Sequence, residues 1–327
     1  MDYKPPPGPP PGYNAYTPPQ GPPPSKQNNQ QEQPPPYHDW TVIPDTALLP
    51  PPPTLSYDSS PTANASLEDA DRAYAWCKAN PLWAPRPLTP AQYAAVQNGQ
   101  LSLMRPPERG FIGDLLPQRT PGHWKGRTHA DCRDSCILTM LPVYSALQDN
   151  PLSSGRPKTI YFELKVLGIG RESRSRSFEE ADAGIAIGFA APPYPTWRMP
   201  GWQRGSLAVH GDDGRRYVND TFGGIDFTSA FQPGETVGIG MRFGVPGKPP
   251  DYGQQGAPML DIEVFFTRNG KNVGGWDLHE QLDERIEGGT IGLDGECDIF
   301  AAVGVFGGVD FEVFFGERDW LYGPERR

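Results

Sequence analysis

Asp261 and Glu263 stand two residues apart in Leu260-Asp261-Ile262-Glu263-Val264-Phe265-Phe266, and two carboxylates on one strand face are the equipment of a glycosidase. A β-sandwich glycosidase usually adds a third carboxylate further along the strand, where this chain has Phe265 and Phe266. The pair therefore reads as two solvated acids on the polar face of a strand. His210 with Asp212, Asp213 and Ser206 offers a second chemistry, acyl transfer, but Ser206 shares a short strand with His210 and no nucleophile elbow surrounds it. Cys132 and Cys136 beside His129 offer a third, zinc binding, but no second ligand pair at suitable spacing accompanies them. No catalytic residue, metal or cofactor is assigned, and the chain is expected not to be an enzyme.

Bulk composition narrows the remaining classes. Lys and Arg number 29 against 39 Asp and Glu, a formal charge of −10, which argues against a general phosphate-backbone binder. The four cysteines (Cys77, Cys132, Cys136, Cys297) are sparse and irregular, so a disulfide framework is not expected and a reducing, cytoplasmic setting is. No signal peptide opens the chain and no run approaches the ~18 apolar residues of a membrane span.

Of the 41 prolines, 19 lie before residue 54, and residues 1–60 have too little apolar content to offset chain entropy. A disordered, Pro-rich N-terminal tail is predicted there, its proline runs favouring polyproline II. Pro10-Pro11-Gly12-Tyr13 and Pro34-Pro35-Pro36-Tyr37 both fit Pro-Pro-x-Tyr (PPxY), the pattern that WW domains bind. Two prolines pack on an aromatic groove and the tyrosine fills a neighbouring pocket. A third copy, Pro249-Pro250-Asp251-Tyr252, sits in a Pro- and Gly-rich loop between two predicted strands. The WW-binding residues are thus Pro10, Pro11, Tyr13, Pro34, Pro35, Tyr37, Pro249, Pro250 and Tyr252, and the partner they imply is a WW-domain ubiquitin ligase.

Residues 61–134 read as a helical and irregular extension packed on the remainder. Ser66-Leu67-Glu68-Asp69 opens one helix with a capping-box pattern, its apolar face being Leu67, Ala70, Ala73, Tyr74 and Cys77. Thr89-Pro90-Ala91-Gln92 opens a second, with Pro at the first helical position and Asn98-Gly99 at its end. Two faces this small cannot make a core alone. From residue 135 to 322 an all-β fold is expected, an antiparallel β-sandwich: Ser135–Thr139 as an edge strand, then Thr159–Val166 with Ile160, Phe162, Leu164 and Val166 on one face. Ile185–Phe189, Ser206–His210, Glu235–Gly240, Leu260–Phe266, Phe300–Val305 and Asp310–Phe315 follow as short apolar or alternating runs separated by turns. The polar loop Arg171–Ser177 between them is predicted to be a solvated hairpin tip.

Loops around Ser206–His210 gather Tyr194, Trp197, Arg198, Trp202, Asp212, Asp213, Arg215 and Arg216, and Trp, Tyr and Arg dominate binding hot spots. These eight are the candidate client-binding residues, with Trp197, Arg198 and Arg216 as the ones for partner choice. The stretches Gly188-Phe189, Tyr194-Pro195, Pro200-Gly201-Trp202, Gly205-Ser206, His210–Arg215 and Phe265–Gly270 resemble, in order, the motifs of SPRY domains. The likeness covers roughly residues 135–322 and is greatest to Ran-binding-protein-M-type SPRY domains and to fungal SPRY adaptors of the endosome and vacuole.

That resemblance implies a concanavalin-like sandwich that binds a client protein or peptide through its loops without catalysis. The fungal adaptors imply recruitment of a HECT-type WW ligase and a cytoplasmic site of action peripheral to endosomes or the vacuole. Those adaptors usually span a membrane, which this sequence gives no sign of doing. Ran-binding-protein-M proteins imply instead a scaffold subunit of a larger ligase complex, with helical dimerisation modules after the SPRY domain; here the sequence stops at Arg327. A glycan-binding or glycan-hydrolysing sandwich is the third alternative.

Overall fold

A computed structural model describes residues 66–170, 183–221, 223–245, 260–280 and 289–324. The PPxY residues Pro10, Pro11, Tyr13, Pro34, Pro35, Tyr37, Pro249, Pro250 and Tyr252 and the loop Arg171–Ser177 lie outside them. Two helices come first, α1 (Leu67–Ala79) and α2 (Pro90–Gln97). Ser66 caps α1 by accepting from the Asp69 amide, and Thr89 and Gln92 close a full capping box on α2. Both starts are where the sequence places them.

The strands are β1 (Leu103–Met104), β2 (Gly113–Pro117), β3 (His123–Thr128), β4 (Ser135–Thr139), β5 (Lys158–Ile169), β6 (Gly184–Ala190) and β7 (Ser206–His210). They continue as β8 (Arg215–Val218), β9 (Ile225–Asp226), β10 (Thr236–Gly244), β11 (Asp261–Arg268), β12 (Lys271–Asp277), β13 (Phe300–Phe306) and β14 (Val309–Phe314). Two seven-stranded antiparallel sheets result, in the order β1-β4-β13-β6-β7-β8-β9 and β12-β11-β10-β5-β14-β3-β2.

Each sheet turns one apolar face to the other. Ile160, Phe162, Leu164 and Val166 of β5 all enter the core between them, as the period-two pattern predicts, and meet Ile185, Ile187 and Phe189 of β6. Phe162 is fully buried, edge-on to Phe189 at 5.6 Å between ring centroids and tilted on Phe315 at 5.5 Å. The other face of β5 is also covered. Glu163 there accepts hydrogen bonds of 2.8 Å from the Tyr161 hydroxyl and from the Leu321 and Tyr322 amides, pinning the last described segment across the sheet.

Two expectations need correction. The sandwich does not begin at residue 135: β2 and β3 form one margin of the second sheet, β3 pairing with β14 from His123↔Phe314 to Arg127↔Asp310. Nor is Ser135–Thr139 an edge strand, because β4 lies between β1 and β13 and is buried throughout. An apolar strand of this kind needs cover on both sides, and the two-residue β1 supplies the real, short edge.

Truncating Phe162 to Ala removes a ring from the centre of this core. Chemical denaturation should show a loss of about 3–5 kcal/mol with the slope unchanged, the usual range for a buried Phe.

Candidate functional site

The chain between β6 and β7 lies on the outer face of the first sheet. Gly304 of β13 makes room for it, since a Cβ there would come within 2.6 Å of Pro200 Cδ and 2.8 Å of Met199 Cε. Gly201, at φ +94°, sits against Tyr217 where a Cβ would come within 2.7 Å of the Tyr217 Cβ. Beneath the loop Met199, Trp202, Ala208, Tyr217 and Phe306 form a small apolar cluster separate from the main core. His210 is stacked against Tyr217 at 4.1 Å, and its Nε2 donates to the Pro200 carbonyl at 2.9 Å.

Helix α1 crosses this loop. Arg72 covers the Trp197 ring at 4.2 Å, Trp76 meets Trp197 edge-on at 5.7 Å, and the Tyr74 hydroxyl bonds Thr221 Oγ1 at 2.6 Å. Arg204 reaches up to the Cys77 and Asn80 carbonyls at the C-terminal end of α1, where a cation suits both the free carbonyls and the helix dipole. Asp69 on the first turn is bridged to Arg133 at 2.9 Å and to Arg72 at 3.3 Å.

Helix and loops together wall a groove of about 540 Å³, with Asp69 and Arg72 on one side, Arg109, Arg133 and Asp134 on the other, and Trp197 and Phe306 as its apolar surfaces. Several polar atoms here are shut off from solvent without a hydrogen-bond partner: Trp197 Nε1, Asp134 Oδ1, and Nε and Nη1 of Arg198. Burial pushes the Asp134 carboxyl up to about 6, against the pull of Arg198; Asp69 and Asp212 add to the rise and Arg133 opposes it. Burial lowers Arg198 in turn, opposed by Tyr194 and Asp134. What the groove presents to a ligand is the Trp197 ring set among charged side chains of both signs.

The eight loop residues divide. Trp197 lines the groove. Tyr194, Arg198 and Trp202 are buried under the loop, with Tyr194 donating to the Met199 carbonyl and Arg198 stacked 4.5 Å over the Trp202 ring. Asp213 accepts from the Arg215 amide and the Tyr217 hydroxyl, each at 2.8 Å, and Asp212 beside it is half-buried. Arg215 binds the Gly223 carbonyl and Asp226, whereas Arg216 pairs with Glu280 and covers Trp276 at 5.1 Å. The sequence reading missed Asp69, Arg72, Arg109, Arg133, Asp134 and Phe306. Ser66 announced α1, but nothing in its pattern said which surface it would cross.

The residues weighed for chemistry serve other bonds. Ser206 Oγ donates to the Gln203 carbonyl at 2.7 Å and accepts from the Gly201 amide at 2.8 Å, away from His210. Glu263 pairs with Arg242 at 2.8 Å on the exposed face of β11. Cys132 and Cys136 are buried thiols, and no three His, Cys, Asp or Glu among the described residues could hold a metal. No helix among the described residues is long and apolar enough to cross a membrane.

The chain is an antiparallel β-sandwich whose motif order resembles that of SPRY domains, and known proteins share the likeness. No family model matches the chain. It is 30% identical over 191 residues to a SPRY domain-containing protein (C285.10c) of Schizosaccharomyces pombe, covering 58% of this chain and 39% of that one. It is 27% identical over 255 residues to the protein ssh4 of Sclerotinia sclerotiorum, covering 77% of this chain and 40% of that one. The chain thus spans about two fifths of the length of these relatives. A crystal structure of a human SPRY domain is 21% identical, with a TM-score of 0.37, over 62% of this chain and 94% of that one.

Asp134 gives the site a pH signature. A carboxyl whose folded pKa of about 6 exceeds its unfolded value of 3.8 binds protons better when folded, so its charged form costs stability above pH 6. That cost is relieved as pH falls through 6 towards 4. Melting curves of the wild type and Asp134→Asn should differ most at pH 7.5, the variant gaining on the order of 1–3 kcal/mol there, an advantage that shrinks to about half by pH 5 and fades further towards pH 4.

Proposed function

We propose that the chain is a non-enzymatic adaptor: the SPRY sandwich binds a client protein through the groove under α1, and the PPxY motifs recruit a WW-domain ubiquitin ligase of the HECT type. The observation that carries the client half is the groove itself, where the Trp197 ring and the charged side chains of Asp69, Arg72, Arg109 and Arg133 line one concave surface. Arg109 stands at the rim with no ion pair to any described residue, a free cation for a client carboxylate. The similarity to fungal ssh4 and to a SPRY domain-containing protein supports the same reading. The recruiting half rests on the three tetrads ending at Tyr13, Tyr37 and Tyr252. Its place of action would be cytoplasmic, at the periphery of endosomes or the vacuole.

Two measurements test the two halves separately. Calorimetric titration with a panel of WW domains should give micromolar binding that the triple variant Tyr13→Ala, Tyr37→Ala, Tyr252→Ala abolishes; equal affinity in wild type and variant removes the ligase from the proposal. For the client, quantitative mass spectrometry of proteins captured by the wild type and by Arg109→Glu should show one set of partners depleted at least tenfold in the variant, since a rim charge set against its complement is repelled. Identical capture by both would reject the groove as the client site.

A further inference from the structure

Helix α1 is fastened unequally at its two ends. At the C-terminal end the fastening is backbone bonds and packing. Arg204 donates to the Cys77 and Asn80 carbonyls, and the Trp83 amide donates to the Pro192 carbonyl at 2.9 Å. Leu82, just past the helix, fills a notch floored by glycine, where a Cβ on Gly292 or Gly205 would come within 2.7 or 3.2 Å of its methyl groups.

At the N-terminal end the helix is joined across the groove to the opposite wall by the ion pair of Asp69 with Arg133, 2.9 Å long, in which the Arg133 side chain is 71% exposed. The side chains that α1 buries, Ala70, Ala73 and Cys77, are small. Along its middle Arg72 lies over the Trp197 ring, Trp76 meets the same ring edge-on, and Tyr74 bonds Thr221.

We propose that α1 is a lid on the client groove, swinging about Asn80-Pro81 and latched by the Asp69–Arg133 pair, and that its closed position withholds Trp197 from the client. The lid regulates the client groove and so rests on that reading of it. When closed, it spends the groove's own recognition groups: Arg72 and Trp76 cover the indole, and Asp69 occupies Arg133. An exposed ion pair is weak and screened by salt, so the latch opens at low cost while the notch around Leu82 keeps the far end in place. A 13-residue helix is marginal in water on its own, so α1 melts once lifted and its amides lose protection together. A protein whose competent form is a fraction of the population binds with its affinity reduced by that fraction, which makes the lid a brake on client capture.

Hydrogen exchange of the full chain, read by mass spectrometry and corrected for intrinsic rates, tests the opening without any client. The α1 amides should exchange about a hundredfold or more faster than those of β5, and roughly two- to fivefold faster again when sodium chloride rises from about 0.05 to 0.5 M. Arg133→Gln should give that same increase at low salt and leave β5 unchanged. Ala75→Gly, at an exposed position of α1 outside the groove and the latch, weakens the helix alone and should speed its exchange about fivefold. Exchange of α1 and β5 at one rate overturns the lid, and an α1 rate in Arg133→Gln equal to that of the wild type overturns the latch. Capture then reads the brake: the proteins that Arg109→Glu loses should be held about fivefold more by Ala75→Gly than by the wild type. Equal or weaker capture makes α1 a fixed wall of the site and overturns the proposal. Should Arg109→Glu lose none, the client groove fails and the brake with it, whereas exchange still decides whether α1 opens, so the two failures are distinguishable.

Discussion

The site depends on one close approach, the loop between β6 and β7 lying on β13 at Gly304. With 2.6 Å from a hypothetical Cβ to Pro200, any side chain at 304 would lift the loop from the sheet. Everything above is stacked on that contact: Met199 and Trp202 over Phe306, Arg198 over Trp202, Trp197 on top, and α1 over Trp197. The sandwich core holds the sheet rigid, and the glycine lets an irregular, proline-rich loop inherit that rigidity. The groove then has a fixed aromatic wall in the Trp197 indole.

Helix α1 is held mostly by polar contacts. Its buried side chains are small, Ala70, Ala73 and Cys77, whereas Leu67 and Tyr74 of its expected apolar face are exposed. The ion pairs of Asp69 and the grip of Arg204 on its terminal carbonyls hold it in register instead. Exposed ion pairs are worth less than ~1 kcal/mol each and are screened by salt, so the helix is the weaker part of the wall. The groove it covers is built from one firm surface and one that opens at lower cost.

How much of this could be read from the sequence varied with the kind of signal. Alternation identified β5 and β11 because both faces of the pattern carried large side chains where burial demanded them. The same rule hid β3: in His123-Trp124-Lys125-Gly126-Arg127-Thr128 the core-facing Gly126 is small because Phe311 fills its place, a Cβ there meeting the ring at 2.1 Å. A glycine that yields space to a neighbour's ring looks, in sequence, like a break in a strand. Among the loop residues, composition named the aromatic and cationic cluster correctly but could not tell which members lie under the loop and which above it. Tyr194, Arg198 and Trp202 went under because the sheet offered them an apolar floor; Trp197 alone of that group reached the groove. The charges opposite it come from segments 60 to 130 residues earlier in the chain, beyond the reach of any local pattern.

All four cysteines are buried thiols, held protonated by desolvation: Cys77 under α1, Cys136 within the first sheet, Cys132 and Cys297 in loops at its edge. The thiolate is the reactive form, so each sulfur is protected only as long as its cover stays closed. Cys77 lies on a helix whose other buried side chains are two alanines, whereas Cys136 is sealed on the outer face of the first sheet among Leu138, Ala190, Tyr194 and Ala302. The chain therefore carries a graded set of chemical reporters, in which alkylation of Cys77 times the lifting of α1 and alkylation of Cys136 times the lifting of the β6–β7 loop, with Tyr194, from the outer face of the first sheet.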